Sequence, residues 1–388
     1  MVKKIIRTFK EKFPGEPEVF RSPGRINLIG EHTDYNNGFV LPAAIDKEII
    51  IAISLNHTDD CNFYATDVDE SFFSPIDEIQ RSSQVWPDYL TGVIVEFQKK
   101  NTQLSGVNVV IGGNIPIGAG LSSSAAVECC MTMAMNELFE AGMTEMEMIK
   151  LSQRAENNFV GVQCGIMDQF ASMMGREGQV IKLDCRNLSY EYFPLRLGEY
   201  AIILFDTGVK HSLASSEYNT RREECAEGIK ALQEIYPRIQ SLRDVNPLQV
   251  NTYLKKIVTD EIFRRCKYVV EENLRVQIGC EDLLRNDIEA FGKKMFLTHE
   301  GLSQLYEVSC PELDWLVTKA KTDKRILGAR MMGGGFGGCT INIVHQTAID
   351  EISSDFGEAY KNKFGIALKT YPVQLSGGTS KIKLYEYV

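Results

Sequence analysis

The sequence contains no apolar run approaching ~18 residues, the length a bilayer-spanning helix needs, so no membrane span is expected. It has no dense Lys/Arg run, and its formal net charge is −10. A general nucleic-acid binder wants a basic surface, so that class is disfavoured. An anionic small ligand remains compatible, because helix dipoles and a metal ion can hold one. The ten cysteines include no C-x-x-C pair, and the five scattered histidines show no metal-ligand spacing. Many cysteines sit in apolar or helical contexts, such as Cys129-Cys130, which points to reduced thiols in a cytosolic protein. The N-terminal MVKKIIRTFKEKFPGE has neither an apolar core nor a small-residue cleavage site, and does not read as a secretory signal. Internal repeats and low-complexity linkers are also lacking.

What is present is an ordinary globular balance: 388 residues, 44% hydrophobic and 24% charged. That length exceeds what one core usually organises, so two α+β domains are expected. Strand patterns fall at EIIIAISL (48–55), CNFYATD (61–67), VNVVIGG (107–113), GQVIKLDC (178–185) and YAIILFDTG (200–208). Helical patterns occupy 122–141 and 144–161. From about 213 to 322 the chain turns helical, through EYNTRREECAEGIKALQEIY, DEIFRRCKYVVEENLRVQ and CEDLLRNDIEAFGKKM. CTINIVH, YPVQLS and KIKLYEYV read as strands, with a helix over TAIDEISSDFGEAYKNKFG. The expected division is 1–200 and 201–388.

GRINLIGEHTDYNNGFV (24–40) begins and ends like strand but holds Arg25, Glu31, His32, Thr33, Asp34, Tyr35, Asn36 and Asn37. So many hydrogen-bonding groups beside apolar chain make either an elaborate turn or a grip on something polar.

Three further segments carry chemistry. In NIPIGAGLSSSAAVECCMTMAMNELFEAG (114–142), a small-residue loop opens a strong helix. Small residues admit a ligand to the backbone, and the helix start offers free N–H groups and a positive dipole end. That is a phosphate cradle, or else a plain N-capped helix. No Lys follows the glycines, so it is not a Walker A loop. In ENNFVGVQCGIMDQFAS (156–172), Glu156 and Asp168 stand in apolar or amide surroundings. One could hold magnesium and the other accept a proton; the alternative is a helix-capping Asp. In GARMMGGGFGGCTINIV (328–344), five of residues 333–338 are glycine. A strand, not a helix, follows them, which disfavours a dinucleotide fingerprint and suggests a tight backbone loop.

Taken in order, these segments resemble the GHMP family of sugar and metabolite kinases. GRINLIGEHTDYNNGFVLP is similar to the signature of its galactokinase branch, PIGAGLSSSAA to the family's phosphate loop, CGIMDQFAS to the branch's catalytic segment, and GGGFGGCTINIV to the family's third motif. The resemblance runs from about residue 19 to the last strand. It implies an α+β fold with an N-terminal domain like domain 2 of ribosomal protein S5 and a ferredoxin-like C-terminal domain, with the active site between them. It implies MgATP-dependent phosphorylation of the anomeric hydroxyl of α-D-galactose, with Mg²⁺ as cofactor. Asp168 would be the general base and Arg25 would stabilise the reacting oxygens. Glu31, His32, Thr33, Asp34, Gly165 and Tyr218 would hold the sugar. Gly118, Ala119, Gly120, Leu121, Ser122, Ser123 and Ser124 would surround the phosphates, and Ser124 and Glu156 would bind magnesium. The alternatives are a kinase of N-acetylgalactosamine, arabinose or galacturonate, or a non-catalytic galactose sensor; the retained SSSAA and Asp168 favour catalysis. The expected partners are small molecules alone, with a monomer or a weak homo-oligomer.

Overall fold

The computed structural model describes residues 1–100, 104–116, 118–209 and 214–383. Its first sheet has six strands in the spatial order Ser380–Lys381, Glu18–Asn27, Pro42–Leu55, Val107–Gly113, Asp60–Ala65, Glu70–Pro75. All its pairs are antiparallel except that between Asp60–Ala65 and Val107–Gly113. The nearly continuous apolar run of residues 48–55 follows from cover on both faces. Ile50, Ala52, Val19 and Val110 meet the N-terminal Val2–Lys12 helix through Ile5 and Phe9. Ile51, Ile53, Val109 and Ile111 face the opposite core, which the Ser123–Leu138 helix closes with Ala126, Cys130 and Ala134.

A second sheet is antiparallel throughout, in the order Ile326–Met331, Cys339–His345, Tyr200–Asp206, Lys369–Val373. Ile203, Phe205, Ala329 and Val344 pack on one side against the Pro311–Thr322 and Ile349–Phe364 helices. Ile202, Leu204, Ile341 and Ile343 join the core of the first sheet on the other. The two sheets thus share one core. Past it, Leu375 bridges Ile45, and Ser380–Lys381 pairs with Phe20 and Arg21 at the edge of the first sheet. Of the expected strand 381–388, residues 384–388 lie outside the described residues.

One helix boundary differs from expectation. Cys280–Leu284 continues the helix Asp260–Leu284 instead of starting the next. The break comes at Asn286, in a left-handed conformation (φ 58°), and Asp287, whose Oδ1 accepts from Ala290 N at 2.9 Å and caps Ile288–Glu300. No helix among the described residues is long and apolar enough to cross a membrane.

Candidate active site

The strand Glu18–Asn27 shifts register between Pro23 and Arg25. This bulge re-aims Arg25. It also brings Gly24 so close to the phosphate loop that a methyl group there would sit 2.8 Å from the Leu121 carbonyl oxygen. Arg25 N donates to that carbonyl at 3.1 Å. Arg25 is 6% exposed, and each of its three guanidinium nitrogens donates one hydrogen bond. Nε and Nη2 donate to Asp168 Oδ1 and Oδ2 at 2.7 and 2.8 Å, and Nη1 donates to the Gly120 carbonyl at 2.6 Å. Asp168 lies in the first turn of the Met167–Met174 helix, so it is not a cap. Its Oδ2 also accepts from Ser122 Oγ at 2.6 Å. Ser122 precedes the Ser123–Leu138 helix in a left-handed conformation (φ 56°), and its hydroxyl turns to Asp168 instead of capping the helix.

A cavity of about 450 Å³ opens beside this lock, lined by Arg25, Glu31, His32, Asp34, Gly165, Asp168 and Tyr218 among others. Glu31 is 3% exposed; its Oε1 accepts from Arg330 Nη2 at 3.0 Å and from Gly333 N at 2.7 Å. His32 Nδ1 bonds Tyr35 Oη at 2.7 Å, and Tyr35 Oη bonds Tyr306 Oη at 2.8 Å. Burial pushes the His32 imidazole down to about 4, so it is neutral near pH 7. Burial lifts the Asp34 carboxyl to about 6. Gly165 lies against Asp34: a side chain there would collide with Asp34 Oδ2. Tyr218 stands 5.5 Å from the His32 ring, centroid to centroid. Thr33 is the exception among the expected sugar-holding residues. It is fully buried, outside the cavity lining, and its hydroxyl lies 2.8 and 2.6 Å from the carbonyls of Gly30 and Phe39, within its own loop.

A second hollow shares Gly333 and Gly334 with the first and runs between Gly118, Gly120 and the Gly333–Gly338 loop. Ala119 and Leu121 turn their side chains into the core. Glu156 is 5% exposed, and its Oε2 accepts from Gln169 Nε2 at 2.6 Å and from the Cys164 thiol at 3.0 Å. Burial holds this carboxyl above the usual range, although the two donors and the nearby Ser124 hydroxyl favour its charged form. The described residues contain no cluster of three or more His, Cys, Asp or Glu that could hold a metal.

Several groups that build the site are not evident from the motifs. Arg330 is fully buried and donates to the carbonyls of Leu28 and Asn27 as well as to Glu31. Tyr268, Glu272 and Asn273 of one helix hold the sugar-signature loop through Glu31 O, Gly30 N and Phe39 N. The available signal was an Arg among apolar residues just before a glycine run.

Three family profiles match the chain: the galactokinase galactose-binding signature over residues 7–55, the GHMP kinases N terminal domain over 88–176 and the GHMP kinases C terminal domain over 281–362. A galactokinase of Thermotoga petrophila is 42% identical over 362 residues, covering 93% of this chain and 99% of that protein. A galactokinase of Fusobacterium nucleatum is 39% identical over 389 residues, covering 99% and 100%. The crystal structure of Lactococcus lactis galactokinase complexed with galactose superposes with a TM-score of 0.94 at 33% identity, covering 98% of this chain and 100% of that one. A Methanococcus jannaschii mevalonate kinase, 20% identical with a TM-score of 0.64 over 94% of this chain and 100% of its own, shares the fold. The chain belongs to the GHMP kinase family, in its galactokinase branch.

Proposed function

We propose that this chain transfers the γ-phosphoryl group of MgATP to the anomeric hydroxyl of α-D-galactose, giving α-D-galactose 1-phosphate and ADP, in the cytosol. The observation that carries the reading is the Arg25–Asp168–Ser122 lock, set between a cavity of sugar-sized polar groups and the glycine-serine loop.

A carboxylate offers about four acceptor sites. Arg25 takes one on each Asp168 oxygen and Ser122 a second on Oδ2, so the spare site is on Oδ1. The sugar O–H would donate there. As the oxygen bonds to phosphorus, its proton passes to Oδ1 and the bond from phosphorus to the ADP oxygen breaks. Phosphoryl transfer needs mainly positioning and charge stabilisation. Arg25, pinned on three sides, supplies a positive charge that need not reorganise. Glu31 and Asp34 would accept sugar hydroxyls, and His32 would contribute its second nitrogen, Nε2, which is buried and has no hydrogen-bond partner among the described residues. The wrong epimer would leave such groups unpaired.

Ser124 and Glu156 fit a magnesium ion. The Ser124 hydroxyl lies near the Glu156 carboxylate, the carboxylate is buried, and no Lys or Arg among the described residues pairs with it. Mg²⁺ commonly takes one or two protein ligands and completes its shell with phosphate and water. Bound there, it would neutralise phosphate charge. The ten free cysteines, eight of them buried, accord with a reducing compartment.

The test is ADP release with MgATP across a panel of sugars. Galactose should give the highest kcat/KM. A higher value for N-acetylgalactosamine, arabinose or galacturonate reassigns the substrate, and tight galactose binding without ADP release indicates a sensor.

A further inference from the structure

The helix behind the phosphate loop carries a second carboxylate that the mechanism leaves unused. Glu128 follows Ser124 by four residues, so both share one helix face. It is fully buried. Its Oε2 accepts from Gln169 Nε2 at 3.2 Å, and the same nitrogen donates to Glu156 Oε2 at 2.6 Å. Gln169 is also fully buried, and it adjoins Asp168. One amide group therefore ties together the phosphate-loop helix, the turn that carries Glu156 and the helix that carries the base.

The chemistry of that amide sets its orientation. Its NH₂ has two hydrogens, and each meets a carboxylate oxygen. Without Glu128, one of these hydrogens would lose its acceptor, and the bond to Glu156 alone would have to fix the amide. Among the described residues, no Lys or Arg forms an ion pair with Glu128 or Glu156. Two ionised carboxylates sharing one buried amide would repel strongly. Burial pushes the Glu128 carboxyl well above its ordinary range, which relieves this.

We propose that Glu128 and Gln169 are positioning residues for phosphoryl transfer: Glu128 helps to orient the Gln169 amide, and the amide fixes the position of the Glu156 carboxylate. The inference rests on Glu156 binding the magnesium of MgATP. Neither residue touches substrate.

The experiment is calorimetric titration with a non-hydrolysable ATP analogue, once with Mg²⁺ and once with EDTA, and separately with galactose. The variants are Glu128→Ala, Glu128→Gln, Gln169→Leu and Glu156→Gln. Outer partners of metal ligands are typically worth 10–100-fold in metal affinity, so Glu128→Ala and Gln169→Leu should weaken the Mg²⁺ complex by about tenfold or more while metal-free analogue and galactose stay within about twofold. Glu128→Gln keeps an oxygen for the amide and should bind like the unsubstituted chain. The inference is overturned if Glu128→Ala or Gln169→Leu leaves Mg²⁺-dependent binding unchanged. It is also overturned if all three ligands weaken together, as a merely structural role would give, or if Glu128→Gln is as impaired as Glu128→Ala. Should Glu128→Ala not fold, Gln169→Leu decides by the same criteria. If Glu156→Gln binds the Mg²⁺ complex normally, the magnesium role itself falls, and that result is separate from the other three.

Discussion

Arg25 meets Asp168 edge-on, with one guanidinium edge bonded to both carboxylate oxygens at 2.7 and 2.8 Å. Such a bidentate pair fixes the direction of the carboxylate as well as its charge. In the proposed mechanism, Asp168 would then take the proton without first turning.

Asp168→Asn keeps the shape and removes the proton acceptor. General-base catalysis is typically worth about 10²–10⁴-fold, so kcat should fall by that order while galactose binding is nearly intact. Single-turnover ADP formation and galactose calorimetry measure the two separately. A retained kcat would remove Asp168 from the chemistry.

Glu31→Ala is expected to do two things at once. It removes a sugar acceptor, and it strips the side-chain partner from Arg330, which is fully buried. Breaking a buried ion pair on one side costs about 3–5 kcal/mol. The variant should melt earlier, and its KM for galactose should rise far more than its KM for ATP. An unchanged galactose KM would disprove the sugar role, and an unchanged Tm would disprove the latch to Arg330.

Gly165→Ala places a methyl group in collision with Asp34 Oδ2. Asp34 must move, and the sugar loses an aligned acceptor. Leaving a polar partner unmet typically costs 1–3 kcal/mol, so galactose KM should rise about 5- to 150-fold. ATP KM should hold. Parallel kinetics with each substrate varied will show this; equal effects on both would mean the whole cleft had shifted.

Asp34 also links pH to stability. Burial raises its carboxyl to about 6 from the ordinary 3.8. Between those values the folded chain holds a proton that the unfolded chain has released. The contribution is therefore full below about pH 4 and is lost as pH rises through 6. Asp34→Asn should then raise Tm at pH 7.5, with a gain that shrinks toward pH 4, while it weakens galactose binding at pH 7.5. Melting curves at the two pH values test the first part. A gain that grows on acidification would reverse the sign of the argument.

Local patterns made the strands and the polar run of residues 31–37 legible, because alternation and turn chemistry act over a few residues. Pairings between distant segments were not. Glu31 and Arg330 lie 299 residues apart, and nothing in either segment names the other. Serine spacing suggested a helix cap, but the Ser122 hydroxyl is drawn away by a carboxylate 46 residues on. Thr33 reads like its polar neighbours and differs only because the loop curls onto it. The strands Glu70–Pro75 and Tyr190–Pro194 escaped notice because neither shows a clear apolar alternation. The helix break at Asn286 was visible in composition but was outweighed by the apolar periodicity on both sides.

The return of Ser380–Lys381 to the edge of the first sheet has a consequence for how the chain matures. Chains emerge from the ribosome in order, and domains tend to fold as they appear. Here the sheet strands of residues 18–113 keep an open edge at Glu18–Asn27 until the strands of the second sheet have been made. An open strand edge invites pairing with other chains. The nascent protein is therefore exposed to misassociation while the intervening residues are made, and the segment that ends this exposure is translated only after them.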